Sequence, residues 1–189
     1  MNQSTEVLHV ESVAPHRLDR YTATAMLLHW IMAALIVALL IVGWYMADLP
    51  KGTERSALIA LHKSLGLTLF ALLVARIVWR LRHRPPPLPS TMPAWEQRAA
   101  HGNHYLLYFL MLLQPVSGYL SSSFSGYKTS YFGIALPNWG WHDKVLNEFF
   151  NTMHAVDAYI LLAVVIVHVL AALRHLLIAR DRVFQRMLP

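Results

Sequence analysis

Cysteine is absent from this chain of 189 residues, and charged residues are scarce. The lack of cysteine excludes disulfides, thiolate metal sites and iron–sulfur clusters. Only 14% of the residues are charged and 56% are hydrophobic, whereas a soluble domain carries about 25% charged residues. The composition therefore predicts a membrane protein that has lipid as its surroundings, and no nucleic-acid partner is expected.

Four apolar segments are long enough to cross a bilayer, because about 20 mostly apolar residues suffice for one helical span. They cover residues 24–46, 57–79, 104–121 and 149–178. The first exceeds the roughly 7–15 residues of a signal-peptide core, so we interpret it as a retained anchor. A proline-rich linker at 84–93 and a long loop at 121–143 connect the later segments. We expect an all-α membrane protein, a single four-helix transmembrane bundle formed by residues 1–189.

Lysine and arginine are distributed unequally between the two sides of this bundle. Eleven belong to the side that holds the termini and the linker: Arg17, Arg20, Arg76, Arg80, Arg82, Arg84, Arg98, Arg174, Arg180, Arg182 and Arg186. Five belong to the opposite side: Lys51, Arg55, Lys63, Lys128 and Lys144. Basic residues accumulate on the cytoplasmic side of membranes. We therefore expect cytoplasmic termini, a cytoplasmic linker and a periplasmic loop in a bacterial inner membrane.

Four histidines lie inside the apolar segments, namely His29, His62, His154 and His168. An ionisable side chain within a bilayer marks a functional site, because it is costly to place there. His154 and His168 are 14 residues apart, which is about 21 Å along one helix face. His168 should therefore be level with His29 near the cytoplasm, and His154 should be level with His62 near the periplasm.

Two imidazoles at each level predict two haem irons, each bound between two histidines without covalent attachment to the chain. The residue four positions after each histidine is small and leaves room for a planar macrocycle on the same helix face. These residues are Ala33, Gly66, Ala158 and Ala172. Two alternatives stay open. The histidines could be hydrogen-bonded core residues, or they could bind zinc or copper. A zinc or copper site would need further ligands, and Asp157 is the one acid well inside a segment.

Several short motifs together resemble those of the bacterial cytochrome b561 family, in the same order along residues 20–188. They are found at residues 29–30 (HW), 61–66 (LHKSLG), 75–80 (ARIVWR), 104–108 (HYLLY), 153–154 (MH) and 167–175 (VHVLAALRH). The resemblance implies a four-helix membrane protein with two b-type haems. In this family the haem ligands are the histidines at the positions of His29, His62, His154 and His168. The resemblance implies that His29 and His168 hold one haem and that His62 and His154 hold the other.

Relatives in that family have two kinds of role. A studied relative is a superoxide oxidase, which passes electrons from superoxide outside the membrane to ubiquinone within it. Others are haem subunits of membrane hydrogenases and dehydrogenases. This chain departs from the superoxide oxidase at Lys63, a basic residue beside the outer haem ligand.

Residues near the cytoplasmic level are candidates for two further tasks. Arg76, Arg80 and Arg174 could hold the anionic haem propionates, because arginine binds carboxylates in a bidentate manner. His104 and His175 could hydrogen-bond a quinone carbonyl and exchange its protons near neutral pH. Bonds to propionates or lipid headgroups would explain these two histidines equally well.

Residues near the periplasmic level are candidates for interaction with an electron donor. Lys63 and Arg55 could attract an anion such as superoxide and raise its rate of encounter. We therefore predict electron transfer through two haems from a periplasmic donor, either superoxide or a protein, to ubiquinone. Two rivals remain. One is a haem b anchor subunit between a partner dehydrogenase or hydrogenase and quinone, and the other is a metal transporter or structural bundle without haem.

Overall fold

The computed structural model describes residues 20–188, so His9, His16 and Arg17 of the N-terminal tail lie outside the described residues. The described part is dominated by four long helices, accompanied by one short hairpin. The elements are α1 (Ala23–Asp48), α2 (Thr53–Arg82), α3 (Ala94–Phe124), β1 (Thr129–Tyr131), β2 (Ile134–Leu136) and α4 (Lys144–Arg174). A π-helical turn at His175–Ala179 and a 3-10 turn at Phe184–Met187 follow α4.

Three helices of the described chain are long and apolar enough to cross a membrane: α1, α2, and α4 together with its π-helical turn. Their apolar side chains are largely exposed, and Leu27, Ile41 and Val167 are each more than half exposed. A helix that is apolar on every side belongs in a protein core or in lipid. Because these surfaces are not covered by protein, lipid is their natural surroundings.

Helix α3 does not reach the apolar composition that the sequence analysis expected of the third segment. Polar residues interrupt it, and they are buried against other parts of the chain. Ser117 Oγ donates to the Gln114 carbonyl at 3.0 Å, and Asn147 Nδ2 of α4 donates to the Ser121 carbonyl at 2.7 Å. The expected third span at 104–121 stays a prediction, and the polar groups of α3 are satisfied by α4 and by its own backbone.

The bounds of α3 also differ from the expected span at 104–121. The helix begins at Ala94, because Pro93 precedes its first turn and Glu96 lies where the helix dipole favours a negative charge. It ends at Phe124, where the Ser125 amide bonds back to Ser122, so the expected loop at 121–143 begins too early. The linker at 84–93 contains neither helix nor strand.

The two ends of the bundle carry different secondary elements. The terminal end holds Arg20, the linker at 84–93 and residues 180–188, and the Tyr21 amide bonds to the Arg186 carbonyl at 3.2 Å. The hairpin end holds the α1–α2 connection at 49–52 and the antiparallel β1–β2 hairpin.

The helices pack unevenly. Helix α1 packs on α2, α2 on α3 and α3 on α4, whereas α4 makes no comparable backbone approach to α1 or α2 within residues 20–188. The small apolar core draws on all four helices. It consists of Met32, Ile36, Leu39, Leu69, Leu73, Leu107, Leu110, Met111 and Leu161. We call this set the apolar layer, since Leu161 lies midway along α4 between His154 and His168.

Candidate functional site

The four histidines of the apolar segments meet in two pairs. At the terminal end the ring centroids of His29 and His168 are 6.1 Å apart, and at the hairpin end those of His62 and His154 are also 6.1 Å apart. Two imidazoles that bind one metal ion from opposite sides, at metal–nitrogen distances of about 2 Å, have centroids about 6 Å apart. Each pair therefore has the spacing that a single shared ion requires.

A hydrogen bond orients the ring of His154. Its Nδ1 donates to the Gln114 carbonyl oxygen at 2.8 Å, so Nδ1 carries the proton and Nε2 presents a lone pair. A histidine that binds a metal commonly makes this second bond, which fixes its tautomer and ring orientation. Gly118 packs closely against the same ring, because a Cβ atom there would lie 3.0 Å from His154 Cε1 and Nδ1.

The ring of His62 is packed but not hydrogen-bonded through Nδ1. That atom is buried and has no partner among residues 20–188. A Cβ atom at Gly43 of α1 would lie 3.3 Å from His62 Cε1, whereas one at Gly66 would meet nothing within 4 Å. The helix face four residues beyond His62 is thus open, as a flat ligand beside that ring would require.

Both pairs bridge helices whose backbones do not pack closely. His29 lies on α1 and His62 on α2, and both face α4, which approaches neither helix as it approaches α3 in the described part of the chain. The imidazole pairs therefore join α4 to two helices from which its backbone is more widely separated. These residues fit haem b, which needs two axial nitrogens and a flat space between helices.

A third imidazole lies at the terminal end. The His104 ring is 5.4 Å from that of His168, closer than the ring of His29 is. His104 also lines a cavity of about 160 Å³ under the linker, together with Tyr21, Arg80 and His101. The structure thus places His104 beside both the histidine pair of the terminal end and this cavity.

Arg76 and Arg80, at the terminal end, have different surroundings. Arg76 Nη1 donates to the Ala25 carbonyl at 2.8 Å, one turn before His29 on α1. The Arg80 guanidinium lies 5.8 Å from the ring centroid of Tyr108. Both arginines line a second, smaller cavity at the terminal end, which is therefore basic.

Arg174 and His175 belong to a separate cluster. Arg174 forms an ion pair with Glu96, and His175 Nδ1 lies 2.6 Å from Asp181 Oδ2. Neither residue lines the two cavities at the terminal end. The cluster ties α3 to the π-helical turn, so the structure does not bring these two residues together with His104.

Lys63 and Arg55, the two basic residues predicted to attract an electron donor, are also separated. Lys63 Nζ donates to Ser122 Oγ at 2.7 Å, and that hydroxyl lies 2.7 Å from Thr129 Oγ1 of β1. Arg55 Nη1 instead donates to the Leu49 carbonyl at 3.2 Å. Lys63 is thus partly buried beneath the hairpin, one residue after His62, while Arg55 secures the α1–α2 connection.

Sequence reasoning assigned no role to one buried pair, Gln114 and Asp157. With its amide oriented to satisfy its neighbours, Gln114 Nε2 donates to Asp157 Oδ2 at 2.6 Å and to the His154 carbonyl at 3.1 Å. Asp157 is 3% exposed. Asp157 could have been recognised from the sequence as a candidate functional residue, because insertion of a charged carboxylate at the centre of a membrane helix costs about 2.5–3.5 kcal/mol.

No group of three or more histidine, aspartate and glutamate side chains is arranged to hold a metal ion in the part of the chain that the structure describes. In this part of the chain His29 lies beside His168 and His62 beside His154, and His104 lies beside the first of these pairs.

Comparisons with known proteins agree with this geometry. The family model described as prokaryotic cytochrome b561 matches residues 20–189. Cytochrome b561 homolog 2 of Escherichia coli (strain K12) is 32% identical over 181 residues, covering 90% of this chain and 92% of the relative. Cytochrome b561 homolog 1 of the same organism is 27% identical, covering 91% and 98%. The probable superoxide oxidase CybB of Yersinia pestis is 26% identical, covering 90% and 96%.

The match covers nearly all of the described chain, and its helices and paired histidines suit a membrane cytochrome. The sequence-based expectations of a helical bundle and of a multi-pass protein in the bacterial inner membrane are confirmed. This chain belongs to the prokaryotic cytochrome b561 family, and it transfers electrons in the membrane by means of haem b.

Proposed function

We propose that this chain holds two haem b groups and passes electrons from a periplasmic donor to ubiquinone, with superoxide as the donor. The observation that carries the proposal is the pair of 6.1 Å imidazole separations across helices that do not pack closely. Haem b held by two histidines supplies one-electron transfer and keeps no open coordination position for oxygen. His29 with His168 would hold one haem, and His62 with His154 the other.

The apolar layer separates the two levels. Its members are aliphatic or thioether side chains, with Leu73 fully buried and Leu161 4% exposed. The members of this layer are all apolar. The buried acid Asp157 lies about one helical turn from Leu161, on the side of His154.

Electron balance follows from the two substrates. Each superoxide anion gives up one electron and leaves as dioxygen. Two such electrons, together with two cytoplasmic protons, reduce one ubiquinone to ubiquinol. Inward electron flow opposes an inside-negative potential by about 2.3 kcal/mol per charge per 100 mV, so a strongly reducing donor suits this direction.

At the terminal end, the basic side chains suit the anionic edge of a haem. We assign the propionates to Arg76 and Arg80 rather than to Arg174, because Arg174 is already paired with Glu96. His104 would hydrogen-bond a quinone carbonyl from the cavity of about 160 Å³ beside His168. An imidazole there can also deliver protons near neutral pH.

At the hairpin end, Lys63 supplies a cation next to the outer histidine pair. Its ammonium group is bound to a hydroxyl rather than to a carboxylate, so no hydrogen-bonded negative charge offsets it. A positive charge beside the entry point raises the encounter rate of an anion. Arg55, which is engaged with Leu49, would act only as a more distant attractive charge.

Haem quantitation of ligand variants tests the cofactor assignment. We expect two haems per wild-type chain, and one haem in either His154→Ala or His29→Ala, because each removes one axial ligand. His104→Ala should keep both. If His104→Ala loses a haem while His29→Ala keeps two, His104 is the true partner of His168 and the assignment is wrong.

Stopped-flow reduction by superoxide tests the donor. In Lys63→Gln we expect the second-order rate of haem reduction to fall by about tenfold or more at low salt, which is the lower range of electrostatic steering. Lys144→Gln is the matched control, because Lys144 is a lysine at the same end with a side chain 82% exposed. Added salt should slow the wild type more than Lys63→Gln.

A wild-type protein that holds both haems but does not react with superoxide would contradict this donor. That outcome would favour the second candidate, a haem b subunit that receives electrons from a partner dehydrogenase or hydrogenase.

A further inference from the structure

We propose that Asp157 and Gln114 position the His154 imidazole and thereby set the redox potential of the haem at the hairpin end. This inference rests on the proposed function, because it assigns a role toward a bound haem. It starts from the buried carboxyl group of Asp157, whose hydrogen-bond partner among residues 20–188 is the side-chain amide of Gln114. Gln114 also bonds to two atoms of His154, a proposed iron ligand.

The three residues form a closed set of contacts between α3 and α4. Gln114 Nε2 bonds to Asp157 Oδ2 at 2.6 Å and to the His154 carbonyl at 3.1 Å. The Gln114 backbone carbonyl accepts the proton of His154 Nδ1 at 2.8 Å. Asp157 therefore acts on the imidazole through Gln114. No hydrogen bond within residues 20–188 joins Asp157 to the ring itself. It is a positioning residue rather than a ligand.

The next residue in α3 explains why Gln114 needs this support. Pro115 has no N–H, so the Met111 carbonyl loses the helical donor it would otherwise have. The helix backbone at Gln114 is thus held by one hydrogen bond fewer than elsewhere. The bond from its side chain to Asp157 attaches this weakened turn to α4, the same helix that carries His154.

His154 differs in this respect from the other three proposed ligands. Among residues 20–188, His154 is the one member of the four whose Nδ1 is hydrogen-bonded, while Nδ1 of His62 is buried without a partner. A hydrogen bond from Nδ1–H to a carbonyl raises the basicity of the ligand. A more basic ligand favours ferric iron and so lowers the potential. This effect on the redox potential should therefore be confined to the haem at the hairpin end.

Redox titration and electron paramagnetic resonance of the purified holoprotein test this role. In Asp157→Leu we expect a higher midpoint potential and a shifted largest g value for one haem, with the other haem unchanged. Asp157→Asn should resemble the wild type, because its amide oxygen can still accept from Gln114. Gln114→Leu should reproduce Asp157→Leu, and the double variant should add no further shift, since the two residues act as one unit.

Asn147→Ala is the matched control. It removes another α3–α4 hydrogen bond, to the Ser121 carbonyl at 2.7 Å, without touching His154. Potentials that move equally in Asn147→Ala would show a general loss of packing and overturn the proposal. Equal shifts in Asp157→Asn and Asp157→Leu would show a direct charge effect and overturn it too.

The outcomes also separate this inference from the proposed function. Two haems with unshifted potentials in both Asp157→Leu and Gln114→Leu would overturn the positioning role alone. A wild-type preparation without haem would overturn the proposed function, and the positioning role with it.

Discussion

Glycines that back the histidine rings are the residues on which the hairpin end depends most directly. Gly118 of α3 and Gly43 of α1 lie against His154 and His62, at distances that leave little space for a methyl group. Each glycine lets a helix backbone approach a proposed ligand and limits how that ring can move. The absence of a side chain is thus a structural requirement at both positions.

We expect Gly118→Ala to displace His154, because the new Cβ would lie 3.0 Å from the ring. Overpacking of this kind costs about 1–3 kcal/mol, so the haem at the hairpin end should be lost at a lower temperature. Thermal denaturation followed through haem absorbance measures this change. Gly102→Ala is the control in the same helix, since a Cβ there meets nothing within 4 Å. Equal behaviour of the two variants would contradict the packing argument.

Sequence spacing indicated which histidines lie together but not the partners of the arginines. The depth argument paired His29 with His168 and His62 with His154, because helical rise relates sequence spacing to depth, and the structure has the rings of each pair 6.1 Å apart. It did not show that Arg174 pairs with Glu96, which is 78 residues away in sequence. Which side chains pair over such a sequence separation depends on how each helix is rotated about its axis. In uniformly apolar segments the periodicity of the sequence does not determine that rotation.

At the scale of elements, the β1–β2 hairpin is held over the bundle by side chains of α2. The Phe132 amide donates to Ser64 Oγ at 3.0 Å, and the Thr68 hydroxyl lies 3.2 Å from that of Tyr131. Thr129 of β1 is 1% exposed. The hairpin therefore covers Lys63 and its hydroxyl partners and limits access to the histidine pair at the hairpin end.

Ser64→Ala should loosen this hairpin, because the Phe132 amide would lose its acceptor. A hydrogen bond at a partly exposed site contributes about 0.5–1.5 kcal/mol, so amide exchange in β1 and β2 should accelerate about two- to tenfold. Hydrogen exchange read by mass spectrometry measures it. Ser56→Ala, which removes only a bond from Ser56 to the Gly52 carbonyl within the start of α2, should leave exchange in the hairpin unchanged.

The hairpin and the polar extension of α3 were not foreseen, for physical reasons that differ. Strands of three residues give too little alternation to recognise. Residues 94–103 are helical but polar, so a search for membrane spans passes over them. The apolar segments that became α1, α2 and α4 were foreseen, since a long uniform run of apolar residues has few other stable states.

At the scale of the whole molecule, orientation is the property that basic residues are expected to set. The chain lacks cysteine, so single cysteines can be introduced without further changes. Lys128→Cys near the hairpin should react with an impermeant maleimide added outside spheroplasts, whereas Ser90→Cys in the linker should react only after lysis. Both positions are exposed. Reaction of Ser90→Cys in intact spheroplasts would place the termini outside the cytoplasm.

Helix α4 is held to the rest of the described bundle mainly through α3, while its backbone lies farther from α1 and α2. A ligand that binds only the folded chain stabilises it by RT ln(1 + [L]/Kd), which rises with the free concentration of the ligand. The supply of porphyrin and iron would therefore determine how many copies of this protein escape degradation by cellular proteases. Cells short of iron should then contain fewer copies of this protein at unchanged transcript levels. The amount of the protein would thus depend on iron supply, independently of its electron transfer.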